Sequence, residues 1–457
     1  MSELLDTVVI GAGLSGLEAA RVLAAAGRKV VVLEARDRVG GRTLSRTTAG
    51  LDGHDDQATP STFDLGGQWI GPTQDRVISL SKHLGLRTFR QYTNGARILD
   101  LEGQVSRYRG SIPKLPLFDM LQAGLGIARL ELESRLVDPR HPWRAPFARH
   151  FDGKSVEAWA RSAIPSSKAR GLLRFSAEML LTVPMGEISY LQFLHYLRSA
   201  GSFLILTESD GGAQQDRFVD GAQALSLGLA KPLGERIVLS SPVREVRSHN
   251  DRVEVVCDEH RFEARHVIVA LAPAMAKNIR FTPGLPSARE ALHHEMPMGS
   301  IVKTILFYDR PYWREAGLSG EAVSDSGPCR GFFDDTAHDG RRPALVGFVV
   351  AADARIERTG SERRTAIEAQ AVRLGLVPPG TRATAYVEKN WNEDPWSGGC
   401  YVGVMPPGLM TRVGEALRAP VGRIHFAGTE TATRWAGYFD GALEAGDRAA
   451  REVLASK

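Results

Sequence analysis

The chain has 457 residues, 43% hydrophobic and 24% charged, with 57 basic residues against 53 acidic ones and a formal charge of +4. These fractions belong to a globular protein and exclude disordered or fibrous chains, and the 47 glycines lack the strict period of collagen. At roughly 100–200 residues per domain the length predicts two to four folding units, and scattered basic residues leave nucleic acid no footprint.

The three cysteines, Cys257, Cys329 and Cys400, are odd in number and far apart. They support neither a disulfide framework nor a zinc cluster, so no metal is expected and a reducing, cytoplasmic setting fits. The chain opens without a signal-peptide pattern and carries no apolar run of about 18 residues. A soluble protein without a membrane span is expected.

The first element is Leu5-Asp6-Thr7-Val8-Val9-Ile10, a short β-branched run that predicts a buried strand. Gly11-Ala12-Gly13-Leu14-Ser15-Gly16 follows, then a helical pattern to Gly27, a second buried run Val30-Val31-Val32-Leu33, and Glu34 at its end. Strand, G-x-G-x-x-G, helix, strand and acid within about 30 residues form a dinucleotide-binding unit. Gly11 permits the tight turn, Gly13 lets the backbone approach a pyrophosphate, and Gly16 lets helix and strand pack closely. The helix N-terminus supplies donors and positive dipole for the phosphates. Glu34 is placed to accept from a ribose hydroxyl, which disfavours a 2′-phosphate.

Ala35-Arg36-Asp37-Arg38-Val39-Gly40-Gly41-Arg42 adds a second basic, glycine-rich loop that NAD does not need. It could wrap the diphosphate and flavin side of FAD, with Arg36 and Arg42 available to phosphate oxygens. This combination resembles the FAD-binding signature of the flavin amine oxidase superfamily. The resemblance implies an α/β fold in which a Rossmann-like FAD-binding domain is interleaved with an α+β substrate-binding domain. The expected division is 1–77, 219–288 and 394–457 for FAD, and 78–218 and 289–393 for substrate. In that superfamily a loop matching Gly66-Gly67-Gln68-Trp69 passes close to the flavin ring. The resemblance also places Val243 beside the adenine end and Trp391 near the flavin.

Between residues 75 and 206 the composition becomes helix-favouring with proline breaks, and Leu130, Leu132 and Leu136 predict an amphipathic helix over 129–136 that packs. Short strands follow near Ile237, Val243 and Val253, then a buried strand His266-Val267-Ile268-Val269 that returns to the nucleotide domain. Lys303 stands mid-run in an apolar strand, where an unpaired ammonium is costly. Cys257 and Cys329 read as structural.

The C-terminal third sharpens the resemblance. Ser397-Gly398-Gly399-Cys400-Tyr401 matches the monoamine oxidase motif whose cysteine carries FAD as a thioether, so Cys400 is the implied attachment point. Ala427-Gly428-Thr429-Glu430-Thr431-Ala432-Thr433-Arg434-Trp435-Ala436-Gly437-Tyr438 nearly reproduces a second monoamine oxidase motif. By that match Gly428, Thr429 and Glu430 hold the ribityl–phosphate and flavin. Tyr401 and Tyr438 match the pair that forms an aromatic cage for the amine, whose nitrogen electron-rich ring faces attract. Lys303 inherits the role of holding a water near flavin N5, where oxygen is reduced. Gln214, after Gly211-Gly212, matches a substrate-contacting glutamine, with Gln215 a competitor because the chain has one extra residue there. Gly331 stands where the mammalian enzymes carry a bulky gating residue, which implies a different cavity.

The implied activity is oxidative deamination of a primary or secondary amine, with oxygen reduced to hydrogen peroxide. A polyamine or diamine oxidase is the alternative and an L-amino-acid oxidase ranks lower. The first would need a carboxylate deep in the cavity and the second an arginine, for which Arg434 and Arg330 are available. Partners are an amine and oxygen, with neither nucleic acid nor membrane; a homodimer is one open assembly. The chain stops at Lys457 after its last helix, so no membrane-anchoring tail is expected.

Overall fold

The computed structural model describes residues 4–51, 60–110, 113 and 115–456, so the Lys457 end lies outside the described residues. Strand Leu5–Ile10 runs through the middle of an eight-stranded sheet. It pairs in parallel with Val30–Leu33 on one side and Arg261–Val269 on the other. Val8 and Val9 are fully buried because the sheet is covered on both faces, which is why the run is apolar without alternation. Helix Leu14–Ala25 lies against helix Phe439–Ala455 over this sheet. Gly16 makes the strand-to-helix turn possible, since a Cβ there would lie 1.9 Å from the Gly11 carbonyl oxygen.

The late strands join the same sheet. Val243–Ser248, Val253–Cys257 and Arg261–Val269 form an antiparallel meander, and Ile424–Phe426 pairs in parallel with the last of these. The predicted return of the chain to its first sheet is therefore present.

A second, seven-stranded sheet is built from Ile301–Phe307, Ala344–Val350, Ala385–Asn390 and four further strands. Every residue of Ile301–Phe307 is buried, Lys303 included. Between the sheets in sequence come the helices Leu117–Ser134, Val156–Ala163, Ser167–Leu181 and Tyr190–Ala200. Ser155, Ser166 and Ser189 cap the last three by accepting from Ala158, Ala169 and Gln192 amides.

One helical expectation needs correcting. The helix runs Leu117–Ser134 and not over 129–136. Leu130 is buried, but Leu132 and Leu136 are 66% and 41% exposed. At 3.6 residues per turn, positions two apart fall on different faces, so Leu130 and Leu132 cannot share a packing surface. Leu136 already lies beyond the last turn. No helix among the described residues is long and apolar enough to cross a membrane.

Candidate active site

One cavity is lined by residues of both sheets and of the intervening helices. At its first end Gly11, Gly13 and Ser15 turn into the helix, whose first amides have no side-chain cap. Gly13 has nothing within 4 Å of a notional Cβ, so the open space there is cavity. Glu34 is 3% exposed; its two oxygens accept from the Ala12 amide at 2.8 Å and the Arg36 amide at 3.0 Å. Val243 lines the same end. A pyrophosphate fits the uncapped helix start and a ribose fits Glu34, so the residues present suit the nucleotide half of FAD.

The two arginines expected at phosphate both line the cavity, and each is also paired with carboxylates. Arg36 Nη2 donates to Asp394 Oδ1 at 2.6 Å and Ser397 Oγ at 2.8 Å, and Nη1 lies 3.4 Å from Glu34. Arg42 donates to Glu430 at 2.6 and 3.2 Å and to the Tyr401 carbonyl at 2.7 Å. Glu430 has no exposed side-chain area. Burial raises its pKa, but the Arg42 guanidinium more than offsets this and holds the carboxyl below its usual range. These pairs brace the wall: Arg42 ties the Glu430 turn to the Cys400–Tyr401 segment.

The middle of the cavity gathers most of the remaining predicted residues. Gly66, Gly67, Gln68, Trp69, Lys303, Cys400, Tyr401, Gly428, Thr429 and Tyr438 all line it. Gly16, Trp391 and Glu430 stand behind that lining, and Trp391 Nε1 donates to the Leu65 carbonyl at 2.9 Å to hold the Gly66 loop in place. Burial pushes the Cys400 thiol up to about 12, so in the protein alone it is a neutral thiol. Cys257 and Cys329 are buried and do not line the cavity. Burial also pulls the Lys303 ammonium down to about 8, against the raising pull of Asp335 and Asp64.

Tyr196, Gln214, Phe333 and Phe348 line the cavity together with Tyr401 and Tyr438, and the Tyr196 and Tyr438 ring centroids are 6.1 Å apart. Burial raises the Tyr401 and Tyr438 phenols above their ordinary range, so they stay protonated at neutral pH. Trp435 stands edge-on to Tyr438, 4.9 Å between ring centroids, and fixes its plane. Gln214 lines the cavity with a buried Oε1 that has no protein partner, while its Nε2 donates to Leu206 O at 3.0 Å. Gln215 turns away, accepting from Gly211 and donating to Asp216. Gly331 sits just outside the lining, its notional Cβ 3.3 Å from Met179 Cε, which does line it.

Tyr196, Asp335 and Arg217 were not legible in the sequence. Asp335 follows another acid after an aromatic pair and Arg217 sits in a short polar strand; neither carries a local signal.

The sequence pattern of flavin containing amine oxidoreductases matches residues 14–454. The chain belongs to this family. A "Probable flavin-containing monoamine oxidase A" of Dictyostelium discoideum is 38% identical, over 99% of this chain and 98% of that protein. The flavin-containing amine oxidase B of Homo sapiens is 36% identical, over 99% and 87%. Among solved structures, a putrescine oxidase bound to putrescine superposes with a TM-score of 0.93 at 33% identity, covering 99% of this chain and 100% of that one. The cyclohexylamine oxidase of Brevibacterium oxydans gives 0.92 at 30%, covering 99% of both. This flavin amine oxidase therefore shares its fold with enzymes whose amines differ widely, and the choice of amine lies in its own cavity wall.

Proposed function

We propose that this flavin amine oxidase deaminates a monoamine with an uncharged, largely apolar tail. The observation that carries the reading is the charge pattern of the wall. Among the described residues lining the cavity, Glu34 is the only carboxylate, and it belongs to the nucleotide end. A diamine needs an anion for its distal ammonium, and nothing at the amine end offers one. Arg330 pairs with Asp353 and Arg434 with Asp75, both off the lining, so neither arginine that the sequence offered for an amino-acid carboxylate reaches the cavity.

Bound FAD supplies the two-electron acceptor that oxygen then restores, giving hydrogen peroxide. The chain's residues orient and exclude. Tyr401 and Tyr438 take the amine between their faces, Gln214 Oε1 accepts one of its N–H groups, and Phe333 and Phe348 keep water from the tail. Lys303 presents an ammonium donor beside the Gly66–Gln68 loop, where developing negative charge on reduced oxygen would be stabilised. The neutral amine loses a hydride from its α-carbon and leaves as a protonated imine, which water hydrolyses to aldehyde or ketone and ammonium. We assign 1–77, 219–288 and 394–457 to FAD and 78–218 with 289–393 to the amine.

We also propose that Cys400 carries the flavin as a thioether, because its thiol is the one cysteine on the cavity wall among the described residues. Acid precipitation tests this: flavin stays with the pellet if the bond exists, and yellow supernatant refutes it. A peroxide-coupled panel of aryl-alkyl, aliphatic and diamines tests the substrate class. Preference for putrescine over every monoamine would refute it. Lys303→Met should slow flavin reoxidation far more than anaerobic reduction, and equal effects would remove its proposed role.

A further inference from the structure

Lys303 is held by a chain of side chains that the amine oxidase reading does not itself require. Its ammonium carries three donors. One reaches the Gly66 carbonyl at 2.8 Å and another Gln68 Oε1, leaving the third for the cavity that Lys303 lines. The far side of the same amide continues the chain: Gln68 Nε2 donates to Asp335 Oδ1 at 3.1 Å. Asp335 is paired with Arg217, Nη2 to Oδ1 at 2.7 Å, and these side chains are 0% and 5% exposed. Arg217 is anchored further by the Thr336 and Asp335 carbonyls.

The chemistry of each link fixes its direction. An ammonium only donates, so the amide oxygen must face Lys303. A carboxylate only accepts, so the amide nitrogen must face Asp335. Glutamine is thus the coupler between a buried cation and a buried anion. Asp335 Oδ2, meanwhile, is buried without a protein partner, an arrangement that is unfavourable for a carboxylate oxygen.

We propose that Asp335 is a positioning residue for Lys303, acting through Gln68 to aim its ammonium at the cavity and to keep it charged there. Burial works against the charge and Asp335 is the strongest group supporting it; Asp64 helps and Arg217 opposes, while Cys400, a neutral thiol in this range, adds no charge. Lys389, opposite Lys303 on the neighbouring strand, is itself paired with Asp394 at 3.2 Å. Trp69 and Phe348 face the ammonium with their rings at 6.0 and 5.8 Å. Asn at 335 would keep the shape, and Arg217 would keep its two carbonyl acceptors. The charge felt by Lys303 would be gone.

The inference rests on the reading of Lys303 given above, but its test does not use turnover. The protein is prepared with lysine isotopically labelled at Cε, and the Lys303 resonance, assigned by its loss in Lys303→Met, is titrated with pH. The parent midpoint is expected near 8. In Asp335→Asn it falls by about 1 pH unit or more, the low end of what losing a nearby opposite charge does, since Asp335 is the strongest group raising it. A midpoint within about 0.3 of the parent, in a variant that unfolds at its own lower temperature, would make Asp335 merely structural and overturn the proposal. Should Asp335→Asn fail to fold, Gln68→Met cuts the coupling while leaving the Asp335–Arg217 pair intact. Its midpoint must also fall, and an unmoved one overturns the proposal equally. An unaltered oxygen step in Lys303→Met would sink the functional reading and leave the titration result standing.

Discussion

Arg42→Met is expected to destabilise the protein in a pH-dependent way that follows from one buried ion pair. Glu430 has no exposed side-chain area and takes two bonds from Arg42, leaving backbone amides alone, Gly403 at 3.3 Å and its own, if the guanidinium is removed. Breaking a buried pair costs ~3–5 kcal/mol, and the quarter-exposed Arg42 puts this case near the lower figure. In the parent, Arg42 holds the Glu430 carboxyl below its unfolded value. That stability is present above the unfolded value and lost as pH falls through the lower folded one. Without Arg42 burial outweighs the remaining backbone N–H bonds, the carboxyl rises above the unfolded value, and the folded state then takes up a proton before the unfolded chain does. The variant therefore gains relative stability on acidification while the parent does not. Urea unfolding of the cofactor-free protein at about pH 7.5 and about pH 5.5 reads this as a gap that narrows with acid, both values lying above the ordinary Glu pKa of ~4.3. Arg42→Met with Glu430→Gln should recover more than half of the loss. A gap equal at both pH values, or a double variant as weak as the single one, refutes the assignment of the cost to Glu430.

Two glycines should behave oppositely. Gly66→Ala would put Cβ 2.2 Å from the Arg42 carbonyl and 2.8 Å from the Leu44 amide, both backbone, so soluble protein should be lost. Gly13→Ala meets nothing within 4 Å and keeps an ordinary φ of −74°, so the cofactor-free unfolding free energy should stay within about 0.5 kcal/mol of the parent while FAD affinity drops in a fluorescence titration. Cys400→Ala should release all flavin to the acid supernatant. Gly331→Leu must displace Met179 into the cavity, so KM for a bulky aryl-alkyl amine should rise about tenfold while that for a short amine holds.

What was legible in the sequence was local. The glycine turn, Glu34 and the Cys400 and Gly428 loops are each set by a few consecutive residues whose backbone needs leave a signature. The site's electrostatics are not local. Lys303 meets Gln68 across 235 positions and Gln68 meets Asp335 across 267, so no window of sequence contains the pair. Arg36 and Arg42 looked like phosphate ligands because a basic glycine-rich loop suggests anions. The anions they meet first are the chain's own, Glu34, Asp394 and Glu430, which are buried and cannot stand unpaired. Gln214 and Gln215 are neighbours in sequence that face opposite ways, and only the placement of the preceding turn decides between them.

The charge pattern of the wall also fixes how pH should act on the amine. With no carboxylate but Glu34 among the described residues lining the cavity, an ammonium substrate held by the proposed cage of Tyr401 and Tyr438 would lack a counter-ion, at the cost of stripping its water. The free base avoids that cost. The kcat/KM for a simple amine should therefore rise about tenfold per pH unit below the substrate's own pKa, near ~10 for an alkylamine by analogy with lysine, and level above it. Lys303 acts with the opposite sign, since it loses its charge as pH passes about 8. Its loss should appear as a falling kcat/KM for oxygen, and not for the amine. Measuring the two constants separately across this range distinguishes the groups. A kcat/KM for the amine that is flat with pH, or that falls as the amine loses its proton, would mean that the cation binds, and that the wall holds an anion which its present geometry does not show.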